Sequence, residues 1–451
     1  MAIRILAITA ILIALIAQPL YERIVVLGFF RTPVPTVIKN AETDLKKIPN
    51  TRFYEDVHYY APGDVIFTSC EDDTEARFSW FPAGDNFKAP EKAGKGSLKV
   101  IDPKTFTSQT LEFEDFTVNT FTTHGIDVIP DPVDKTGKTV LIYAVNHTPN
   151  PVYIDNLINS KPDLNEDITS AKSQIEIFRH VLGSGKAKHL RSIQHDLITT
   201  PNDILADSPS SIYVTNDHHY LTGPMRHAED FFKNAKWSNV YHIKIQDFDV
   251  AKTTPQDGID VQPATPNLHN PNGMGRVVDA LGRPTGDILV TSATSGQLYS
   301  ANVVKEPELG KNLTINKIHQ FDMLIDNPTY FADPYAGKEE GDASGYIITG
   351  LTQAAYVGPT FHSVEGNATT RTYHLKKVAR EVGEGENKKI EESYERTILF
   401  EDDSTHIRAA TCALVTAIDP KINEGKKEGW LWIASVLSPH ILAVKVDLAN
   451  L

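Results

Sequence analysis

An all-β fold is what this sequence predicts, on three observations. Short runs rich in β-branched and aromatic residues recur along the chain: Val65-Ile66-Phe67-Thr68, Val140-Leu141-Ile142-Tyr143-Ala144-Val145, Ser211-Ile212-Tyr213-Val214, Asp287-Ile288-Leu289-Val290-Thr291 and Trp430-Leu431-Trp432-Ile433-Ala434. Turn-forming pairs such as Pro62-Gly63, Thr136-Gly137 and Asn272-Gly273 lie between them. The runs recur with a loose spacing and end before polar loops, as when the blades of a propeller turn their innermost strands toward a central channel. Periodicity alone does not separate a propeller from a β-sandwich.

Taken in order, the N-terminus is a separate object. Arg4 precedes an apolar run from Ile5 to Ala17 that only Thr9 interrupts, and a second run from Ile24 to Phe30 follows Glu22-Arg23. The first run is too short to cross about 30 Å of hydrocarbon as a helix, which makes it a signal-peptide core or an anchor. Leu15 stands where cleavage wants a small residue, so retention as a membrane-attached helix is favoured over removal. Residues 1–35 are accordingly assigned to this segment and 36–451 to one β domain. Two stretches break the β pattern. Met225 to Trp237 carries Ala228, Phe231, Phe232 and Ala235 at helical spacing, with Arg226, Glu229, Asp230 and Lys233 opposite, and predicts a short amphipathic helix packed on the domain. Lys377 to Arg396 is heavily charged and predicts a solvated hairpin or insertion.

With 451 residues, 41% of them hydrophobic, the chain can bury a full core. A net charge of −14 argues against a nucleic-acid partner, whose phosphates need clustered Lys and Arg. Two cysteines, Cys70 and Cys412, cannot form a metal-binding quartet; they are buried thiols or one bond tying the ends of the domain together. There is no Gly-x-Ser-x-Gly elbow, which weighs against an α/β-hydrolase.

The chemistry-bearing residues lie in Glu55-Asp56, Pro201-Asn202-Asp203-Ile204 and Ile325-Asp326-Asn327. Carboxylates beside amides are a calcium vocabulary: oxygen ligands without excessive negative charge. Thr123-His124-Gly125-Ile126, Val145-Asn146-His147, Ser192-Ile193-Gln194-His195-Asp196-Leu197 and Thr215-Asn216-Asp217-His218 accompany them. In this order and at these separations, the segments resemble the serum paraoxonase/arylesterase family of calcium-dependent lactonases, from about Tyr54 to the C-terminus. The resemblance implies a six-bladed β-propeller, with the amphipathic helix over the cleft and the N-terminal helix on a membrane or lipid surface. The family's closing disulfide is not carried over: it begins before the Glu-Asp pair, whereas Cys70 follows it.

By resemblance, two Ca2+ ions are implied. Glu55, Asn202, Asn272, Asp326 and Asn327 would hold a catalytic ion, with Asn270 a rival to Asn272. Asp56 and Asp203 with the backbone carbonyl of Ile126 would hold a structural one. His124 would be general base, assisted by His147, with Asp217 orienting His147; Asp326 is an alternative base. His195 and His218 are given supporting roles. The implied reaction is hydrolysis of lactones and aryl esters, with organophosphate triesters as candidate further substrates. The alternative is a membrane-attached, calcium-stabilised binding scaffold without catalysis. Sequons at Asn312 and Asn367, in polar, turn-like surroundings, suggest glycosylation in a secretory or extracellular setting, while that at Asn146 would obstruct the site.

Overall fold

β-Branched residues fit a pleated surface, and the runs that carry them pair with their neighbours in sequence as antiparallel ladders. The computed structural model describes residues 17–451 apart from 39–40, 160–168, 247, 249–253, 307–309, 338–340 and 383–388. Six successive strand groups open with Tyr54–Tyr60, Thr123–Pro130, Pro201–Ser208, Pro271–Val278, Leu324–Phe331 and Ala410–Ala417. Each opening strand pairs with the strand that follows it in sequence, and further strands add outward. In the last group the outermost strand is Leu45–Lys47, which pairs with Leu442–Asp447, so an early segment completes a sheet built mostly by the end of the chain.

The six opening strands contact one another in a closed ring, each against the opening strands of the groups before and after. The core is divided accordingly, one cluster between each pair of adjacent groups. Phe67, Leu98, Ile142 and Phe178 fill the first interval, and Tyr143, Ile177, Ile204 and Ile243 the second. Leu205, Tyr213, Met274 and Val290 fill the third, and Leu289, Ile325 and Ile348 the fourth. Ile347, Phe400, Leu431 and Val444 occupy the fifth, and Val57, Ile66, Leu414 and Trp432 the sixth. Single residue pairs, Tyr54 with Ser435 and Asn327 with Cys412, join the fifth, sixth and first groups into one 12-stranded sheet.

Every opening strand loses register near its start. The breaks fall between Tyr54 and Val57, Thr123 and Ile126, Pro201 and Ile204, Pro271 and Met274, Ile325 and Pro328, and Ala410 and Cys412. A bulge re-aims side chains and frees ladder groups. Hydroxyls of the second strands take up some of those groups: Thr68 donates to Asp56 O, Thr215 to Asn272 O and Thr291 to Gly273 O.

Several expectations are modified. The helix over the rim is Pro224–Phe231, ending well before Trp237, and it buries Arg226 and Glu229 while Phe232 is exposed. Glu229 accepts from the amides of His219 and Tyr220 and from Ser238 Oγ, and Arg226 donates to the carbonyls of Leu221 and Ala83; those satisfied polar groups turn the helix's charged side inward. Asn312 stands in the strand Gly310–Gln320 rather than a turn; Asn367 lies in an exposed loop. The charged stretch is a long hairpin, Thr370–Val382 against Lys389–Asp402. Cys70 and Cys412 are free buried thiols in one core cluster.

The run from Ile5 lies outside the described residues up to Ala17. From there residues 17–27 are helical and are not set apart from the β domain. Buried Arg23 donates to the carbonyls of Asp230, Phe231 and Thr294, and Gly28, at φ +69°, lies where a Cβ would strike Thr352 O. Among the described residues no helix is long and apolar enough to cross a membrane.

Candidate active site and metal centre

The register breaks carry the candidate residues. Glu55 and Asp56 sit in the first, His124 in the second, Asn202 and Asp203 in the third, Asn272 in the fourth and Asp326 with Asn327 in the fifth. Gly125 and Gly273 permit the crowding: a Cβ on Gly125 would lie 2.3 Å from Asp203 Oδ1, and one on Gly273 2.3 Å from Asn327 Oδ1. The sixth break holds Thr411, whose hydroxyl donates to the Glu55 carbonyl at 2.6 Å. The sequence reading missed Thr411. The signal available for it was positional, one bulge residue per repeating group.

Among the buried oxygens without a hydrogen-bond partner are five from these register breaks: Glu55 Oε2, Asn202 Oδ1, Asn272 Oδ1, Asp326 Oδ1 and Asn327 Oδ1. They belong to the five residues expected around the catalytic ion. An unpaired buried polar atom costs about 1–3 kcal/mol, so the set together would rival the stability of a whole domain. Neighbours hold the amides with their nitrogens turned away. Asn202 Nδ2 donates to Asp217 Oδ2 at 3.3 Å, and Asn327 Nδ2 to Glu55 Oε1. The rival Asn270 is fully used, donating to Asp217 O and accepting from Thr294 N, each at 3.0 Å. The carboxyls are strained electrostatically. Burial, then Asp326, Asp56 and Asp203, push Glu55 well above its usual range; burial, then Asp56 and Asp217, do the same to Asp326. Two carboxylates and three amides, each with an open buried oxygen, have the chemistry of a hard-cation site with oxygen preference.

Burial, then Asp56, push Asp203 well above its usual range as well, although Asp56 and Asp203 are also held by donors. Asp56 Oδ1 accepts from Val57 N at 2.8 Å, while Oδ2 meets His58 Nε2 at 2.7 Å and Ile126 N at 3.3 Å. Asp203 accepts from Ile204 N at 2.7 Å and Met274 N at 2.6 Å. Every oxygen of this pair already has a donor. Among the described residues no three His, Cys, Asp or Glu side chains form a metal-binding group, so amides are indispensable to any cation site here.

The histidines meet as expected. His124 Nδ1 lies 3.1 Å from His147 Nε2, and His124 Nε2 lies 4.0 Å from Glu55 Oε1. Burial, only partly opposed by Asp217, pulls His124 down to about 4, and burial together with His124 holds His147 well below its ordinary value. Both rings are therefore neutral at physiological pH. Asp217 is placed differently from expectation. It lies 3.0 Å from His218 Nδ1 and bonds Asn202, whereas His147 Nδ1 meets Ser173 Oγ at 2.9 Å. Against its burial, His218 keeps Asp217 below the usual carboxylate range. Burial and Arg226 lower His218, but Asp217 and Asp230 outweigh them and raise it to about 9. His195 Nδ1 accepts the Leu197 amide at 3.2 Å, a turn role.

The segment after Cys70, which the sequence reading left without a role, roofs the histidines. Trp80 Nε1 donates to His147 O at 2.8 Å, and the Phe81 ring meets His124 edge-on at 5.6 Å. Arg77 lies over Phe81, 4.0 Å from its centroid. Beside His147 a cavity of only about 10 Å³ is lined by Ala83, Thr200, Asp217, Leu221 and Arg226 among others. A larger surface hollow of about 410 Å³, around Glu365, Asn367 and Arg408, contains the sequon asparagine but none of the candidate ligands or histidines.

Comparison with known proteins agrees with the residue pattern. The arylesterase family model matches residues 150–337, which include Asn202, Asp203, Asp217, Asn272, Asp326 and Asn327 but neither histidine of the pair. Serum paraoxonase/arylesterase 2 of Gallus gallus is 28% identical over 251 residues, 55% of this chain and 56% of that protein. The Rattus norvegicus protein of the same name is 27% identical over 261 residues, 57% and 58% of the two chains. Serum paraoxonase/lactonase 3 of Oryctolagus cuniculus is 26% identical over 258 residues, with the same shares. The matches thus span a little over half the length of these curated relatives. A periplasmic gluconolactonase of Pseudomonas aeruginosa superposes with a TM-score of 0.32 and 9% identity over 87% of this chain and 84% of its own, a likeness without functional weight. The chain is thus similar to the arylesterase family over residues 150–337 and, at 26–28% identity, to the serum paraoxonases.

Proposed function

We propose that the chain is a calcium-dependent carboxylic ester hydrolase acting on lactones and aryl esters, built as a six-bladed propeller whose blades are the six strand groups. The observation that carries the reading is the set of five unpartnered buried oxygens of Glu55, Asn202, Asn272, Asp326 and Asn327, on neighbouring opening strands that also bring His124 to His147. A calcium ion held by those oxygens would supply Lewis acidity toward the ester carbonyl. His124 Nε2, the nitrogen turned toward Glu55, would take a proton from water as its oxygen attacks the carbonyl carbon. The proton then returns to the departing alkoxide, and a lactone opens to a hydroxy acid. His147 supports His124 by accepting at Nε2 from its Nδ1–H. Asp217 acts on Asn202, holding its Nδ2 so that Oδ1 stays turned to the cation. Asp326 remains the alternative base, and organophosphate triesters are the further substrates worth assaying.

A second, structural ion is proposed at Asp56, Asp203 and the Ile126 carbonyl, supported by the raised Asp203 carboxyl; it would share those oxygens with His58 and backbone amides. Lipid contact is proposed through the N-terminal helix and the Pro224–Phe231 helix beside it. Exposed Leu20, Tyr21, Phe30, Met225 and Phe232 support it, and Arg23 joins the two helices. A secretory or extracellular placement is proposed from the relatives' description as serum proteins and from the exposed sequon at Asn367. A second reading, a calcium-stabilised scaffold without catalysis, draws on the roof that leaves so little room beside His147. A panel of lactones and aryl esters, with calcium or with chelator, separates the two. Calcium-dependent turnover supports the hydrolase, and no turnover on any member supports the scaffold.

A further inference from the structure

A neutral histidine acts as a base at one ring nitrogen only if its proton sits on the other, and that choice depends on the bond the second nitrogen makes. For His124 to accept at Nε2, its proton must be on Nδ1 and be donated to His147 Nε2. His147 must then carry its own proton on Nδ1. The partner at that position is Ser173 Oγ, 2.9 Å away and buried. We infer that Ser173 is the positioning residue of the histidine pair: its hydroxyl accepts from His147 Nδ1–H and so favours the tautomers that make His124 Nε2 the base over those in which the His124 ring donates to the Pro201 carbonyl.

Three features support this. Ser173 is held in place independently of the histidines, because Lys172 N donates to Thr148 O at 2.8 Å and Asn150 N to Ser170 O at 2.9 Å, pinning the segment against the chain beyond His147. His147 is also fixed through its backbone, donating to Thr122 O at 2.9 Å and accepting from Trp80. The carboxylate otherwise suited to the role, Asp217, is engaged with His218 and Asn202. A serine differs from a carboxylate here in a useful way. It fixes the ring without adding negative charge that would favour an imidazolium, so His147 remains a neutral acceptor for His124.

The inference rests on the hydrolase reading, so its test has one readout independent of turnover. In histidine-¹⁵N-labelled protein, His147 is expected as the Nδ1–H tautomer in the parent and in Ser173→Thr, and as a mixture in Ser173→Ala. Turnover of a lactone should fall about 10-fold in Ser173→Ala with KM and calcium affinity unchanged, as is usual when a partner that orients an active-site group is lost, and should return in Ser173→Thr. A parent His147 protonated at Nε2, or a tautomer indifferent to Ser173→Ala, overturns the inference. A parent with the expected tautomer but no turnover of any ester overturns the hydrolase reading and leaves Ser173 as the group that orients His147.

Discussion

At the scale of single residues, oxygen-bearing side chains fall into those whose bonds are complete and those left open. Asn270 and Asn272 stand two positions apart with the same chemistry, yet only Asn272 keeps an oxygen free. Asn327→Ala should therefore weaken calcium binding by 10-fold or more, measured by competition with a fluorescent chelator, while Asn270→Ala should act mainly on stability. His124→Gln should cut lactone turnover by about 10²-fold or more with calcium affinity near the parent's, because general-base catalysis is lost and the cation's ligands are untouched. Full turnover in that variant, together with an inactive Asp326→Asn that still binds calcium, would move the base to Asp326. Glu55, Asn202, Asn272, Asp326 and Asn327 were singled out through the resemblance, since acidic and amide residues in turns are by themselves a weak signal. Ser173 and Thr411 were not, since a serine or threonine takes its meaning only from what it faces.

At the scale of elements, the Pro224–Phe231 helix and the strand end that carries Asp217 are joined by His218. This imidazole is sandwiched between Asp217 at 3.0 Å and Asp230 at 2.8 Å. Its folded value, about 9, exceeds the ordinary 6.5. The folded state thus binds the extra proton, and the stabilisation is complete below about pH 6.5 and lost as pH rises through about 9. His218→Gln should lower Tm by roughly 2–4 °C or more at pH 6, with the gap closing by pH 10 in thermal melts; a gap that stays constant with pH would remove the charge from this account. The helix also marks a limit of periodicity. Its spacing of Ala228, Phe231 and Phe232 reads as an inward apolar face, but the satisfied bonds of Glu229 and Arg226 bury the other side. Hydrogen-bond partners supplied by the 80s loop and by Ser238 outweighed the hydrophobic pattern.

At the scale of the whole molecule, the candidate ligands of the cation come from the opening strands of four of the six groups, so its binding is linked to closure of the ring. Chelation should lower Tm, and the shift should grow with the logarithm of free calcium on titration back. Calcium counted by elemental analysis after gel filtration should be two per chain, and one would remove the ion proposed at Asp56 and Asp203. Asp203→Ala should destabilise even with chelator present, because its carboxylate ties Ile204 N to Met274 N between two groups. An Asp203→Ala variant that melts with the parent in chelator would show that this tie carries no stability.

The sequence by itself determined the all-β character, because strand preference and turn chemistry are properties of short stretches, while the residues proposed for a cation and for proton transfer came from the ordered resemblance of several segments. Only the tertiary structure decided which amide oxygens remain free, that Asp217 serves Asn202 and His218, that Ser173 faces His147, and that the charged side of the rim helix is the buried one. Those outcomes depend on which residues, far apart in the chain, the closed ring of opening strands brings within hydrogen-bonding distance.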